Sequence, residues 1–192
     1  MNSNWIGIDY GSQKAGTTVI AHCQDSQINF LQSVKGQSAD DFILKTVKEH
    51  FSLIDCIYID APLSLPSAYY NKGKDFMYRM ADRQLSAMSP MFLGGLTARA
   101  MRLAKELKEI DVSSYETYPA RVESTLLGQS TPKKVKPDPK AVIDLFKAAH
   151  FSISTIKNRH QYDAIWAWWA GYRHKNQIAE LIGDPNEGII VV

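Results

Sequence analysis

The chain is poor in several features that would fix its class at once. It has only two cysteines, Cys23 and Cys56, far apart and each inside an apolar run. No disulfide framework is expected from them, and both read as buried, reduced thiols. No Cys/His spacing resembles a zinc site. No apolar run approaches membrane-spanning length. The start, Met1-Asn2-Ser3-Asn4-Trp5, lacks the basic and apolar regions of a secretory signal. A soluble, cytoplasmic protein is therefore expected. Charge bias is also slight: 22 Lys and Arg against 20 Asp and Glu leave a formal +2, which permits a nucleic-acid partner without arguing for one. The turn Gly11-Ser12-Gln13-Lys14-Ala15-Gly16 lacks the Gly-Lys-Ser/Thr ending of a Walker loop. Repeats and low-complexity tracts are absent from the sequence. What remains is an ordinary globular composition, 45% hydrophobic and 22% charged over 192 residues, enough for one compact domain spanning 1–192.

Hydrophobic periodicity gives the order of elements. Asn4–Tyr10, Thr17–Cys23 and Ile28–Val34 read as three strands joined by short turns, hence an antiparallel meander. Ser38 looks like a helix cap answered by Asp41, and Phe42, Ile43, Val47 and Phe51 share one side of the helix that follows. A fourth strand, Ile54–Asp60, then returns parallel to one of the first three through a right-handed crossover. Pro62 and Pro66 break the chain. Helices are expected over residues 75–88 and 96–109, a fifth strand over Val112–Tyr118, and a helix opening at Pro119. Gln129–Pro139 reads as a polar loop carrying Lys133, Lys134 and Lys136, with Lys140 just beyond it. Its default is a solvated loop, with phosphate-backbone contact as the sharper alternative. Asp138 and Pro139 open a helix through His150. A last helix over about Gln161–Ile182 precedes a short strand, Ile189–Val192. The spacing of Ile165, Trp168, Trp169 and Tyr172 places these rings in a core rather than on a base-stacking surface. The resulting fold is an α/β sheet of five mixed strands in the order 3-2-1-4-5, with helices on both faces.

In that order the first and fourth strands are central neighbours, and both end on a carboxylate. Trp5-Ile6-Gly7-Ile8-Asp9 and Ile57-Tyr58-Ile59-Asp60 would bring Asp9 and Asp60 to one sheet edge, where open α/β sheets bind ligands. A carboxylate after a buried strand is costly unless it caps a turn, binds a metal or does chemistry. Two together suit a hard divalent cation meeting a phosphate.

The motifs extend further. Ile6-Gly7-Ile8-Asp9-Tyr10-Gly11 resembles the opening strand of ribonuclease-H-like nucleases and resolvases. Four further stretches follow in order: Asp60-Ala61-Pro62-Leu63-Ser64-Leu65-Pro66, Arg79-Met80-Ala81-Asp82-Arg83, Tyr115-Glu116-Thr117-Tyr118-Pro119 and Asp163-Ala164. With Gly183-Asp184-Pro185-Asn186-Glu187-Gly188 the series resembles domain of unknown function 429 (DUF429), a family of predicted nucleases in that superfamily. Ser64 stands where glycine is more usual, and Ala81 where cysteine is frequent. The resemblance implies a ribonuclease-H-like fold and a nuclease using Mg²⁺ or Mn²⁺ on nucleic acid. Asp9 would be the bridging metal ligand, Asp60 the fourth-strand ligand and Asp163 the helical carboxylate completing the metal set. Glu116 would be a possible fourth catalytic member. Two divalent ions about 3.5–4 Å apart need several carboxylates.

Plain structural alternatives stand beside each residue. Asp9 or Asp60 can accept backbone hydrogen bonds in a turn, Asp163 can complement a helix dipole, and Glu116 can face solvent or pair with Arg121. Lys14, Arg79 and Arg83 are candidate phosphate contacts, although Arg79 can equally pair with Asp82. His160, one turn before Asp163, is either a proton donor or a helix cap. At the level of function, a metal-dependent phosphodiester hydrolase leads. A non-catalytic binding or scaffold domain and a nucleotide-handling ATPase or kinase-like protein are its rivals, the last disfavoured by a length too short for a second lobe. The sequence leaves oligomeric state open.

Overall fold

The computed structural model describes residues 3–50, 54–132 and 137–192, and in it the apolar runs become the middle of a sheet. Strands β1 (Trp5–Asp9), β2 (Val19–Gln24) and β3 (Gln27–Gln32) form the expected meander. Asp25 and Ser26 both take positive φ, 50° and 60°, the two-residue turn whose twist suits a hairpin. Helix α1 (Ala39–His50) crosses over to β4 (Cys56–Asp60), which runs parallel to β1. Next come a 3-10 turn (Ser67–Tyr70), α2 (Met80–Leu85), α3 (Pro90–Leu93) and α4 (Gly95–Lys108). Then follow β5 (Ser113–Thr117), α5 (Pro119–Leu127), α6 (Lys140–Ala148), β6 (Ser152–Ile153), α7 (Arg159–Lys175), β7 (Leu181–Asp184) and β8 (Gly188–Val191).

The sheet has eight strands in the order β6-β3-β2-β1-β4-β5-β8-β7, not the five expected. The order 3-2-1-4-5 is intact inside it. The additions are at the edges. The two-residue β6 pairs with β3, and β8 pairs with β5 while β7 returns antiparallel to β8. The expected last helix to Ile182 ends at Lys175. Gln177 adopts positive φ, 59°, and Leu181–Asp184, whose pattern suits either state, is drawn into a ladder with β8. The expected helix over 75–88 shrinks to α2, because the Asp75 carboxylate accepts from the Met77 and Tyr78 amides at 2.8 and 3.0 Å and holds that stretch as a turn. Ser38 does cap α1, its Oγ accepting from Asp41 N at 3.3 Å. Phe51, Lys133, Lys134 and Lys136 lie outside the described residues.

Two cores sandwich the sheet. Ile6, Ile8, Ile57 and Ile59 face α1 and α4, while Trp5, Cys56 and Tyr58 face α7. This period-2 alternation assigns Asp9 and Asp60 to the α7 side. Trp166, Trp168 and Trp169 are buried there, and Trp5 stacks on Trp168 with ring centroids 5.2 Å apart. Gly7 fixes the approach. A Cβ on it would lie 2.0 Å from Trp168 N and 2.7 Å from Ala164 O, so helix backbone rests directly on strand backbone, as only glycine allows. The first turns of α7 are thereby carried over the carboxyl end of β1. No helix among the described residues is long and apolar enough to cross a membrane.

Candidate active site

A cleft of about 740 Å³ opens at the carboxyl edge of β1 and β4. Asp9 and Asp60 are register partners across the parallel β1–β4 ladder, so their side chains leave the same face of the sheet side by side. His160 and Asp163, from the first two turns of α7, line the same cleft. Asn158 caps that helix by accepting from Gln161 N at 3.0 Å. His160 is thus released from capping and turns its Nδ1 to Asp9 Oδ2, at 2.7 Å. The hydrogen bond to Asp9 outweighs partial burial and raises the imidazole above its ordinary value. Asp163 receives Arg159 Nε on both oxygens at 2.9 Å. Tyr118 also lines the cleft, and its phenol is held protonated first by burial and then by the charge of Asp60.

Glu116 follows a different path. It pairs in register with Ile59, so the pleat turns it to the face opposite Asp60. Its carboxylate accepts from Arg79 Nη1 and Nη2 at 2.6 and 2.7 Å and from Leu63 N at 2.9 Å. Arg79 is 1% exposed. Its remaining guanidinium contacts go to Asp82 (3.1 and 2.6 Å) and Ser64 Oγ (2.9 Å). All five guanidinium N–H donors thus have protein acceptors, and none is left for a phosphate. Burial works against its charge, but the bonds to Glu116 and Asp82 prevail and hold it protonated. Although both residues border the cleft, they form a structural clamp between the loop after β4, α2 and β5.

The other expected phosphate contacts lie elsewhere. Arg83 is exposed, paired with Asp75 and stacked over the Tyr78 ring at 4.7 Å. Lys14 is exposed on the β1–β2 loop, outside the cleft lining. Arg159 does line the cleft, and was not among the expected contacts. Beyond its Nε pairing it donates Nη1 to Thr131 O at 3.0 Å, and among the described residues no protein acceptor meets Nη2. A sequence signal existed, since Arg159 and Asp163 are four apart on one helical face.

The donor set suits a hard cation in part. Mg²⁺ takes one or two carboxylates and fills its shell with water and phosphate oxygens, which Asp9 and Asp60 satisfy. The expected three-carboxylate set is not assembled: among the described residues no three His, Cys, Asp or Glu side chains gather closely enough to hold an ion, and Asp163 is engaged by Arg159.

No protein-family model matches the chain, and no curated protein does. Among solved structures it is similar to Thermus thermophilus RuvC, with 14% identity over 93% of this chain and 98% of that one, at a TM-score of 0.49.

Proposed function

We infer that the protein is a divalent-metal-assisted phosphodiester hydrolase of ribonuclease-H-like type, acting on nucleic acid. The observation that carries this reading is the in-register pair Asp9–Asp60 beneath His160 in one cleft. The series of motifs resembling the DUF429 nucleases supports it. Asp9 and Asp60 would hold Mg²⁺ or Mn²⁺. When bound, the ion supplies charge neutralisation for a phosphate and a more acidic water.

The chain's own groups do the rest. His160, fixed through Nδ1 on Asp9, leaves Nε2 to give or take a proton, work worth roughly 10²–10⁴-fold in rate for a positioned side chain. Arg159 Nη2 offers a guanidinium contact to a phosphate oxygen. Tyr118, kept as a phenol, donates rather than repels.

The test pairs Mn²⁺ binding, followed by electron paramagnetic resonance, with a screen of DNA, RNA and hybrid cleavage. Asp9→Asn should lose at least 10²-fold in cleavage and weaken Mn²⁺ binding. Unchanged metal-dependent cleavage by that variant would remove the reading. A non-catalytic binding domain is the second reading, favoured by the pairing of Asp163 with Arg159. Nucleic-acid binding with no cleavage of any substrate would select it. An ATPase-like phosphate cradle finds less support, because Gly11 N already donates to Thr18 Oγ1 at 3.0 Å and Ala15 N to Ser12 O at 3.3 Å.

A further inference from the structure

Large apolar side chains left in water are unevenly distributed on this protein. Among the described residues, Val34, Ile143, Ile178 and Leu181 are scattered, but the other seven all fall between Tyr69 and Phe92, in the excursion from β4 to α4. Single exposed apolar residues need no explanation, whereas a contiguous cluster marks a surface with a partner. Here the cluster is largely aromatic. Tyr69 and Phe76 meet edge to face with centroids 5.4 Å apart, and Tyr78 and Phe92 do so at 6.1 Å. Phe92 is 63% exposed and Met88 59%, and both line the acidic cleft together with Tyr78. The Tyr78–Phe92 end of this surface therefore borders the candidate active site.

Its charge argues for one occupant. Lys72 and Lys74 stand exposed on the loop that joins Tyr69 to Phe76, and Arg83 lies over Tyr78. Asp75, the acid of that loop, is taken by Arg83. Aromatic faces interleaved with cations form the pattern that binds unpaired nucleotides, bases stacking on rings while lysines follow the phosphates. Paired bases already have both faces covered and cannot use such a surface.

We propose that the Tyr69–Phe92 excursion is a stacking platform that receives a single-stranded nucleic-acid segment and leads it into the Asp9–Asp60 cleft. This rests on the hydrolase reading for the direction of the strand, but its binding can be tested separately. All four tryptophans are buried, so a Phe92→Trp substitution installs a local reporter at an exposed position. In Asp60→Asn protein with chelator present, single-stranded DNA or RNA oligonucleotides should quench that reporter. A duplex of equal length should bind at least about tenfold more weakly. Adding Phe76→Ala should weaken single-strand binding by roughly tenfold, in line with the loss of one stacked base. Changing Lys72 and Lys74 together to Gln should flatten its salt dependence. A Phe76→Trp reporter serves as the second site, and unchanged thermal melting verifies the fold. The proposal falls if neither reporter is quenched, if duplex binds as well as single strand, or if neutral lipid vesicles quench where oligonucleotides do not. Quenching without cleavage by the unsubstituted protein in Mn²⁺ would overturn the hydrolase reading and leave the platform standing.

Discussion

Glu116 and Asp82 close around Arg79 in full burial, whereas Asp60 on the adjacent strand and Asp9 one strand further face an open cleft. Both groups are carboxylates near the same sheet edge, yet their surroundings differ. In the clamp each guanidinium donor has an acceptor and nothing remains to meet a ligand. Such a cluster ties chain segments together. In the cleft, His160 contacts Asp9 through one nitrogen and the opening is wide enough for a substrate. Residue type does not separate a structural carboxylate from a chemical one. What differs is the setting: one group closes on a buried guanidinium, the other lines a cleft.

The contrast can be broken most forcefully at Arg79. Arg79→Met should cost about 3–5 kcal/mol in urea unfolding, since it strands two buried carboxylates, whereas an already paired cluster is costly mainly to break. A loss below about 1 kcal/mol would show that the clamp is not structural.

The next largest effect is expected on the other face, at Asp40. It accepts from Tyr10 Oη at 2.5 Å, Arg99 Nη2 at 2.6 Å and Arg102 Nη2 at 2.9 Å. Burial opposes its ionisation, but these bonds and the two positive charges prevail and hold its carboxyl below the ordinary value. A depressed acid stabilises the fold above its unfolded value, about pH 4, and that contribution fades as pH falls through the folded value. Asp40→Asn should therefore cost about 2–3 kcal/mol at pH 7, with the gap to the unsubstituted protein closing below about pH 4. A gap constant with pH would contradict this.

The smallest effect on stability belongs to the cleft. Asp60→Asn keeps side-chain shape and removes one charge from an acidic site, so unfolding should shift by no more than about 1 kcal/mol while Mn²⁺ affinity falls. A shift as large as that of Arg79→Met would move Asp60 into the structural class.

Much of this was legible locally. The alternating runs at Trp5–Asp9 and Cys56–Asp60, and the crossover between them, were enough to place Asp9 beside Asp60. Gly7 gave no sign of its neighbour, since the helix backbone that rests on it is distant in the chain. Less legible were β6 and β7, because a two-residue strand has no period of its own and Leu181–Asp184 acquires its state only by pairing with Gly188–Val191. Glu116 resembled a site residue in sequence because carboxylates near strand ends look alike until the register is known.

By itself, then, the sequence determined the central strands, their order and the pair of aspartates at their ends, since each follows from local periodicity and a short-range handedness rule. Only the tertiary structure decided that Glu116 joins Arg79 and that His160 reaches Asp9. Those choices depend on strand register, on the angle at which α7 lies over Gly7 and on competition for hydrogen-bond donors between segments distant in the chain.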